Sequence, residues 1–237
     1  MSPARASFAD LDGILFHARH LLFSFDNTIC DLLAGTTAAP ACDQLRQLIT
    51  GQGISIPPDV GRITDPVGIL GYIADHLSPD IAVHAEAELA QFEDSAATSA
   101  LPVPYVDDAI HACRDSGRSA TIVGRNGTQA INLYLSTHQL TDMISGIIAR
   151  DVPDISTIGH ARLIERATEQ LKATPDTCAL ICTTVEAIRD TEPSGAYRIA
   201  YARTFEDRDA LESAGASATI MSLADLSLRL RARPLPN

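Results

Sequence analysis

Leu21-Leu22-Phe23-Ser24-Phe25-Asp26-Asn27-Thr28-Ile29 is an apolar run that closes on a short polar segment, and it decides the reading of the chain. A brief apolar run bounded by turn signals fits a strand buried on both faces, as in the middle of a parallel sheet. Side chains alternate along a strand, so Ser24 and Asp26 fall on the same side at its carboxyl end. The strand itself spans His20 to Phe25, and Ser119 to Val123, Cys178 to Cys182 and Tyr197 to Tyr201 are runs of the same kind. Helical patterns separate and follow them over Val106 to Ser116, Gln129 to His138, Ala161 to Leu171 and Val185 to Thr191. Alternating strands and helices imply right-handed βαβ units and an α/β fold, a parallel sheet covered on both faces. Ser217 to Ile220 adds a short last strand and Leu223 to Arg231 a closing helix.

One interval does not alternate. From Asp31 to Leu101 there are helical patterns over Cys42 to Ile49, Pro66 to His76 and Ile81 to Ala97, without a convincing pair of strands. The expected organisation is a core domain formed by 1–30 and 102–237 with a helical cap domain, 31–101, inserted after the first strand. Such a cap would sit beside the carboxyl ends of the strands, where open α/β sheets place their ligands.

Composition narrows the function. The chain has 237 residues, 46% of them hydrophobic, enough for a sizeable core. Its 18 basic and 30 acidic residues give a net charge of -12, which argues against a nucleic-acid partner. No apolar run reaches the roughly 18 to 20 residues of a membrane span, and the start lacks a signal pattern, so no membrane association and a cytoplasmic location are expected. The 5 cysteines are scattered without a CxxC pair, as expected of reduced, buried thiols.

The run around Ser24 resembles the first motif of the haloacid dehalogenase-like (HAD) hydrolase superfamily, and of its helical-cap, phosphoglycolate phosphatase-like branch in particular. In that family an apolar run leads into Asp-x-Asp-Gly-Thr. The similarity extends over almost the whole chain: Ser119 to Asn126 resembles the second motif, Ala161 to Leu171 follows the usual site of the third-motif Lys, and Ala179 to Ile188 resembles the fourth. The resemblance implies a Rossmannoid three-layer α/β sheet with an inserted helical cap. It also implies phosphohydrolase chemistry, in which the first Asp attacks phosphorus, the second acts as general acid and base, and Mg²⁺ and Lys neutralise the transferring group.

The residues that would carry this chemistry are largely replaced. Ser24 stands at the nucleophile position, Asp26 keeps the second acid, Asn27 replaces Gly, and Thr28 is retained. Gly124 stands where the second motif has Thr or Ser. The Lys position falls on Ile158 or a close neighbour, and no Lys occurs between Asp151 and Gln170. Thr183 and Ala187 occupy the fourth-motif acidic positions. The Mg²⁺ site is therefore expected to be lost, with no cofactor; Asp26 offers one carboxylate, and Glu186 and Asp190 are distant candidates. The expected outcome is a vestigial pocket of Ser24, Asp26, Thr28, Gly124, Ile158, Thr183 and Ala187 that belongs to a pseudoenzyme, binding a small-molecule ligand or a protein partner. The alternatives are a weak or atypical phosphatase or hydrolase, and a homodimeric structural subunit, suggested by a charged fraction of 20% against about 25% in typical domains.

Other residues carry two readings each. Ser24 is a small polar strand-end residue or a serine nucleophile with Asp26, His17, His20 or His160 as base. Arg125 and Asn126, in a Gly124-Arg125-Asn126-Gly127 turn that leads into a helix, are solvated loop residues or an anion-binding pair. Thr183 to Glu186 reads as a capping box, and Cys182 as a buried strand thiol rather than a reactive one. The histidines lack metal-ligand spacing and read as surface or satisfied core residues.

Overall fold

A computed structural model of the chain describes residues 8–33, 38–150 and 159–235. Six strands form one sheet: β1 (His20–Ser24), β2 (Ser119–Gly127), β3 (Gly146–Arg150), β4 (Cys178–Cys182), β5 (Tyr197–Tyr201) and β6 (Ala218–Ile220). Their order is β3-β2-β1-β4-β5-β6 and every pairing is parallel. The winding reverses between β1 and β4, so the crevice in which such sheets bind ligands lies above the carboxyl ends of these two strands.

The two faces follow the period of 2. Leu21, Phe23, Ala120, Ile122, Ala179 and Ile181 belong to one core cluster. It also contains residues of α1 (Phe8–His17), α6 (Val106–Asp115), α7 (Thr128–Thr137) and α11 (Leu223–Ala232). Leu22, Val123, Leu180 and Cys182 face the other way, onto α8 (His160–Leu171), α9 (Val185–Thr191) and α10 (Phe205–Ser213). β1 and β4 are buried from both sides, which is why they read as continuous apolar runs.

Between β1 and β2 stand four helices, α2 (Ala38–Gly51), α3 (Pro58–Arg62), α4 (Pro66–His76) and α5 (Pro79–Ala97). Pro at the first helical position starts α3, α4 and α5, where its fixed φ and missing N–H cost nothing. Leu45, Ile49, Leu70, Ile73 and Leu89 of these helices are buried in the same cluster as Phe23 and Ile122, so the apolar core is continuous from the sheet into the insertion.

A buried ion cluster adds a polar lock. Arg150, at the end of β3, reaches two carboxylates of α5: its Nη2 lies 2.6 Å from Glu93 Oε2 and its Nε 2.8 Å from Glu86 Oε2. The Glu86 contact is angled off the N–H direction and acts through charge rather than as a hydrogen bond. Glu93 also accepts from the Gly127 N–H at 3.0 Å and from Asn126 Nδ2 at 3.2 Å. At the opposite end of the sheet the buried Arg118 guanidinium donates to the carbonyls of Leu15, Ala18 and Arg233.

Several expectations need correction. β3 and α1 were not foreseen. Gly124 to Gly127 is the continuation of β2 rather than a turn: after an irregularity past Val123 the strand re-pairs through Gly127 and Arg150, and Arg150 also donates to the Arg125 carbonyl. The helix cap at the fourth motif belongs to Thr184, whose hydroxyl accepts from the Ala187 N–H at 3.1 Å, so Glu186 lies inside the first turn and no Thr183 capping box forms.

Candidate functional site

The carboxyl ends of β1 and β2 and the loop after β4 enclose a cavity of about 70 Å³. Ser24, Asp26 and Asn27 line it from the first motif, Gly124, Arg125 and Asn126 from the second, and Thr184 and His160 from α9 and α8. Leu33, Asp65 and Val67 cover it from the chain that follows β1 and from α4. Strand-end reasoning thus brings together five of the expected residues, Ser24, Asp26, Gly124, Arg125 and Asn126.

Asp26 follows β1 at the start of a tight loop in which Asn27 adopts φ 63. A left-handed conformation suits Gly, and Asn is the side-chain-bearing residue that tolerates it best. The Asp26 carboxylate accepts the Leu32 N–H at 2.9 Å. Burial still outweighs this bond and a second one from the Leu33 backbone, and with Asp65 and Asp31 nearby it pushes the Asp26 carboxyl up to about 6.

The absence of a second-motif hydroxyl has a steric counterpart. A Cβ on Gly124 would lie 3.0 Å from Phe25 Cβ, so the strands approach too closely for a side chain there without a shift. Arg125 is the arginine that lines the cavity, and it is already engaged: Nη2 lies 2.6 Å from Asp65 Oδ2 and Nη1 3.7 Å from Glu186 Oε1. Asn126 is buried with its amide on Glu93. In this arrangement neither side chain is free to hold an anion.

Other expected residues lie elsewhere. Thr28 is fully buried, and its hydroxyl has no hydrogen-bond partner among the described residues. Thr183 lines an adjoining surface depression, with Tyr201, Arg203 and Asp207, which shares Asn27 and Thr184 with the cavity. Ala187, on the inner face of α9, is buried in the core, and Ile158 falls outside the described residues. Cys182 is buried within β4, and desolvation pushes its thiol up to about 12, as suits an inert cysteine.

His160 departs from its expected role as a surface or satisfied core residue. It is only 8% exposed, yet Nδ1 has no hydrogen-bond partner among the described residues. The nearest acceptor, Asp190 Oδ2, stands 3.6 Å away. Burial, reinforced by the nearby Arg125 charge, holds the imidazole below its ordinary value and favours the neutral ring. Asp65 was missed as well, although an Asp directly before Pro66 and an apolar helical pattern is a helix-start signal.

No protein-family model and no curated protein matches the sequence. Solved structures do match. A hydrolase from Pseudomonas syringae superposes with a TM-score of 0.65 at 16% identity, covering 91% of this chain and 98% of its own. A predicted phosphatase from Clostridium acetobutylicum gives a TM-score of 0.64 at 14% identity, with 90% and 98% covered. A haloacid dehalogenase-like family hydrolase from Streptococcus pneumoniae gives 0.60 at 15%, with 89% and 97% covered. With these superpositions each covering about nine-tenths of this chain and nearly all of the other, the chain has the haloacid dehalogenase-like hydrolase fold.

Proposed function

We propose that this HAD-fold chain no longer transfers phosphoryl groups through an aspartyl phosphate, and that it acts by binding a small ligand or a protein partner at its capped pocket. The charge inventory of the cavity carries the reading. A phosphate monoester brings about two negative charges, which catalysis must offset with cations. Here the lining arginine is already paired with Asp65, and Asp26 and Asp65 would oppose the incoming dianion. Ser24 replaces the attacking carboxylate. The family's Mg²⁺ does not fit these donors: Thr183 and Ala187 bring no carboxylate to the fourth-motif positions and neither lines the cavity, and the Asp26 carboxylate is held by backbone N–H groups. Losing one electrostatic stabiliser typically costs about 10² to 10³ in rate, and loss of the nucleophile alone ends the aspartyl-phosphate route.

The test is a phosphomonoesterase assay with and without Mg²⁺. The expected result is turnover at background level; robust Mg²⁺-dependent turnover that vanishes in Asp26→Asn overturns the reading. Thermal-shift screening then separates pocket binding from partner binding, since a ligand at 100 times its Kd adds about 2.7 kcal/mol of stability. The acidic charge supports partners other than nucleic acid. Among the described residues no helix is long and apolar enough to cross a membrane; a cytoplasmic location is part of the proposal.

A second reading, an atypical hydrolase, draws on one observation. His160 lines the same cavity as Ser24 and carries Asp190 3.6 Å from Nδ1, which supplies the residue types of a nucleophile, base and orienting acid. Carboxyl-ester hydrolysis that is lost in Ser24→Ala, together with covalent labelling of Ser24 by a fluorophosphonate, would establish it.

A further inference from the structure

We propose that His160, Glu186 and Asp190 form a binding site for a borderline divalent cation of the zinc type, at a position other than the family's magnesium site. One donor atom from each residue lies within 4.8 Å of the other two. His160 opens α8, while Glu186 and Asp190 stand one turn apart on α9, so two helices aim their donors at one point. Acidic side chains alone would not make a site. The independent observation is the imidazole: it is buried, its Nδ1 lacks a hydrogen bond among the described residues, and that nitrogen faces the Asp190 carboxylate beyond bonding distance. A buried nitrogen in this state gains from any ligand that comes between it and the acids.

The donor set selects the ion. Magnesium takes oxygen donors in a near-ideal octahedron, whereas imidazole suits zinc and its neighbours in the first transition row. One imidazole and two carboxylates, with water in the fourth position, is a composition that open tetrahedral zinc sites accept. Zinc bond lengths of about 2.0–2.2 Å bring donors to roughly 3.4 Å from one another, so the three groups must close by at most about 1.4 Å from their 4.8 Å limit. The acids have that freedom, because the Glu186 and Asp190 side chains are 58% and 40% exposed. Two carboxylates balance the charge of the ion. Arg125 is the competitor: its Nη1 lies 3.7 Å from Glu186, and binding of the ion would transfer Glu186 to the metal and leave Arg125 to Asp65.

The donors are not those of the family's machinery, because neither Ser24 nor the fourth-motif positions, Thr183 and Ala187, supply one; as His160 also lines the cavity, the cation site is read by metal binding alone, so that its failure and that of the proposed function are distinguishable. The experiment uses the full chain stripped with chelator and titrated with Zn²⁺ by calorimetry and with Co²⁺ by visible absorption. The five cysteines are buried, so the folded chain offers no thiolate to compete. The expected result is one equivalent of Zn²⁺, a Co²⁺ d–d spectrum, and no displacement by millimolar Mg²⁺. Glu186→Gln, at an exposed position, and Asp190→Asn, at a half-buried one, should each weaken Zn²⁺ binding at least about tenfold, the smallest loss usual even for an outer-shell partner. His160→Gln should abolish the Co²⁺ spectrum. Zn²⁺ binding that is undetectable in the parent chain, or equal in Glu186→Gln and the parent, overturns the proposal. The carboxylate variants keep the test decisive should the His160 variant fail to fold.

Discussion

Replacing Glu93 by Ala should destabilise the protein more than any single change at the cavity rim. Glu93 and the Arg150 guanidinium are both fully buried, and Glu93 accepts from Arg150, Asn126 and the Gly127 N–H. Truncation leaves Arg150 with Glu86 as its carboxylate partner among the described residues, at 2.8 Å and poorly aligned, beside the neutral Arg125 carbonyl, and leaves the Gly127 and Asn126 donors without their acceptor. Removing one partner of a buried pair typically costs about 3–5 kcal/mol, because the other charge stays desolvated. For a chain of this size each kcal/mol moves Tm by about 2–4 °C, so a fall of about 6–20 °C is expected. Scanning calorimetry and urea unfolding at constant m-value measure it. Glu93→Gln, which keeps the shape and one carbonyl acceptor, should fall between parent and Glu93→Ala. A loss below about 1 kcal/mol, the range of exposed ion pairs, would refute the argument that this cluster is dry and pins α5 to the sheet.

Three further outcomes follow from the cavity. Asp26 binds its proton more tightly when folded, about 6 against an ordinary 3.8, so its cost is absent below the lower value and grows as pH rises through that window. Above about pH 6 the cost amounts to about 3 kcal/mol; Asp26→Asn should therefore gain Tm relative to the parent at pH 8 but not at pH 4, and parallel Tm profiles would contradict this. Gly124→Ala forces its Cβ against Phe25 and should cost about 1–3 kcal/mol in chemical unfolding, whereas an unchanged midpoint would mean that the strands part freely. Arg125→Ala breaks a pair whose side chains are 25% and 43% exposed and should cost under about 1 kcal/mol, in contrast to any truncation of Arg150.

What the sequence made legible follows burial. β1, β2, β4 and β5 announce themselves because apolar residues continue on both faces, and Pro66–His76 matches the structure because Pro66 opens an apolar helical pattern there. β3 was hidden: Gly146-Ile147-Ile148-Ala149-Arg150 is a short edge strand that opens on Gly and ends on a charge. That charge makes sense only beside Glu86 and Glu93, far away in sequence. A signal did exist, since two carboxylates seven residues apart share a helical face with buried Ala82, Ala85 and Leu89. Strand-end positions placed Ser24, Asp26 and Gly124 in one cavity, but the neutralisation of Arg125 by Asp65 depends on how the helices settle over the sheet, and no local pattern encodes it. His160 was legible as a residue but not as a buried nitrogen without a bond.

The Arg118 clamp bears on the order in which the molecule can be completed. Its three acceptors sit at Leu15 and Ala18, about a hundred residues upstream, and at Arg233, more than a hundred downstream. A nascent chain emerging from the ribosome can satisfy the first two as soon as β2 has been made, but the third only when α11 is finished. Until then one N–H of an otherwise sequestered guanidinium depends on solvent, so the half-synthesised molecule stays open at this corner, and closure waits for the last helix.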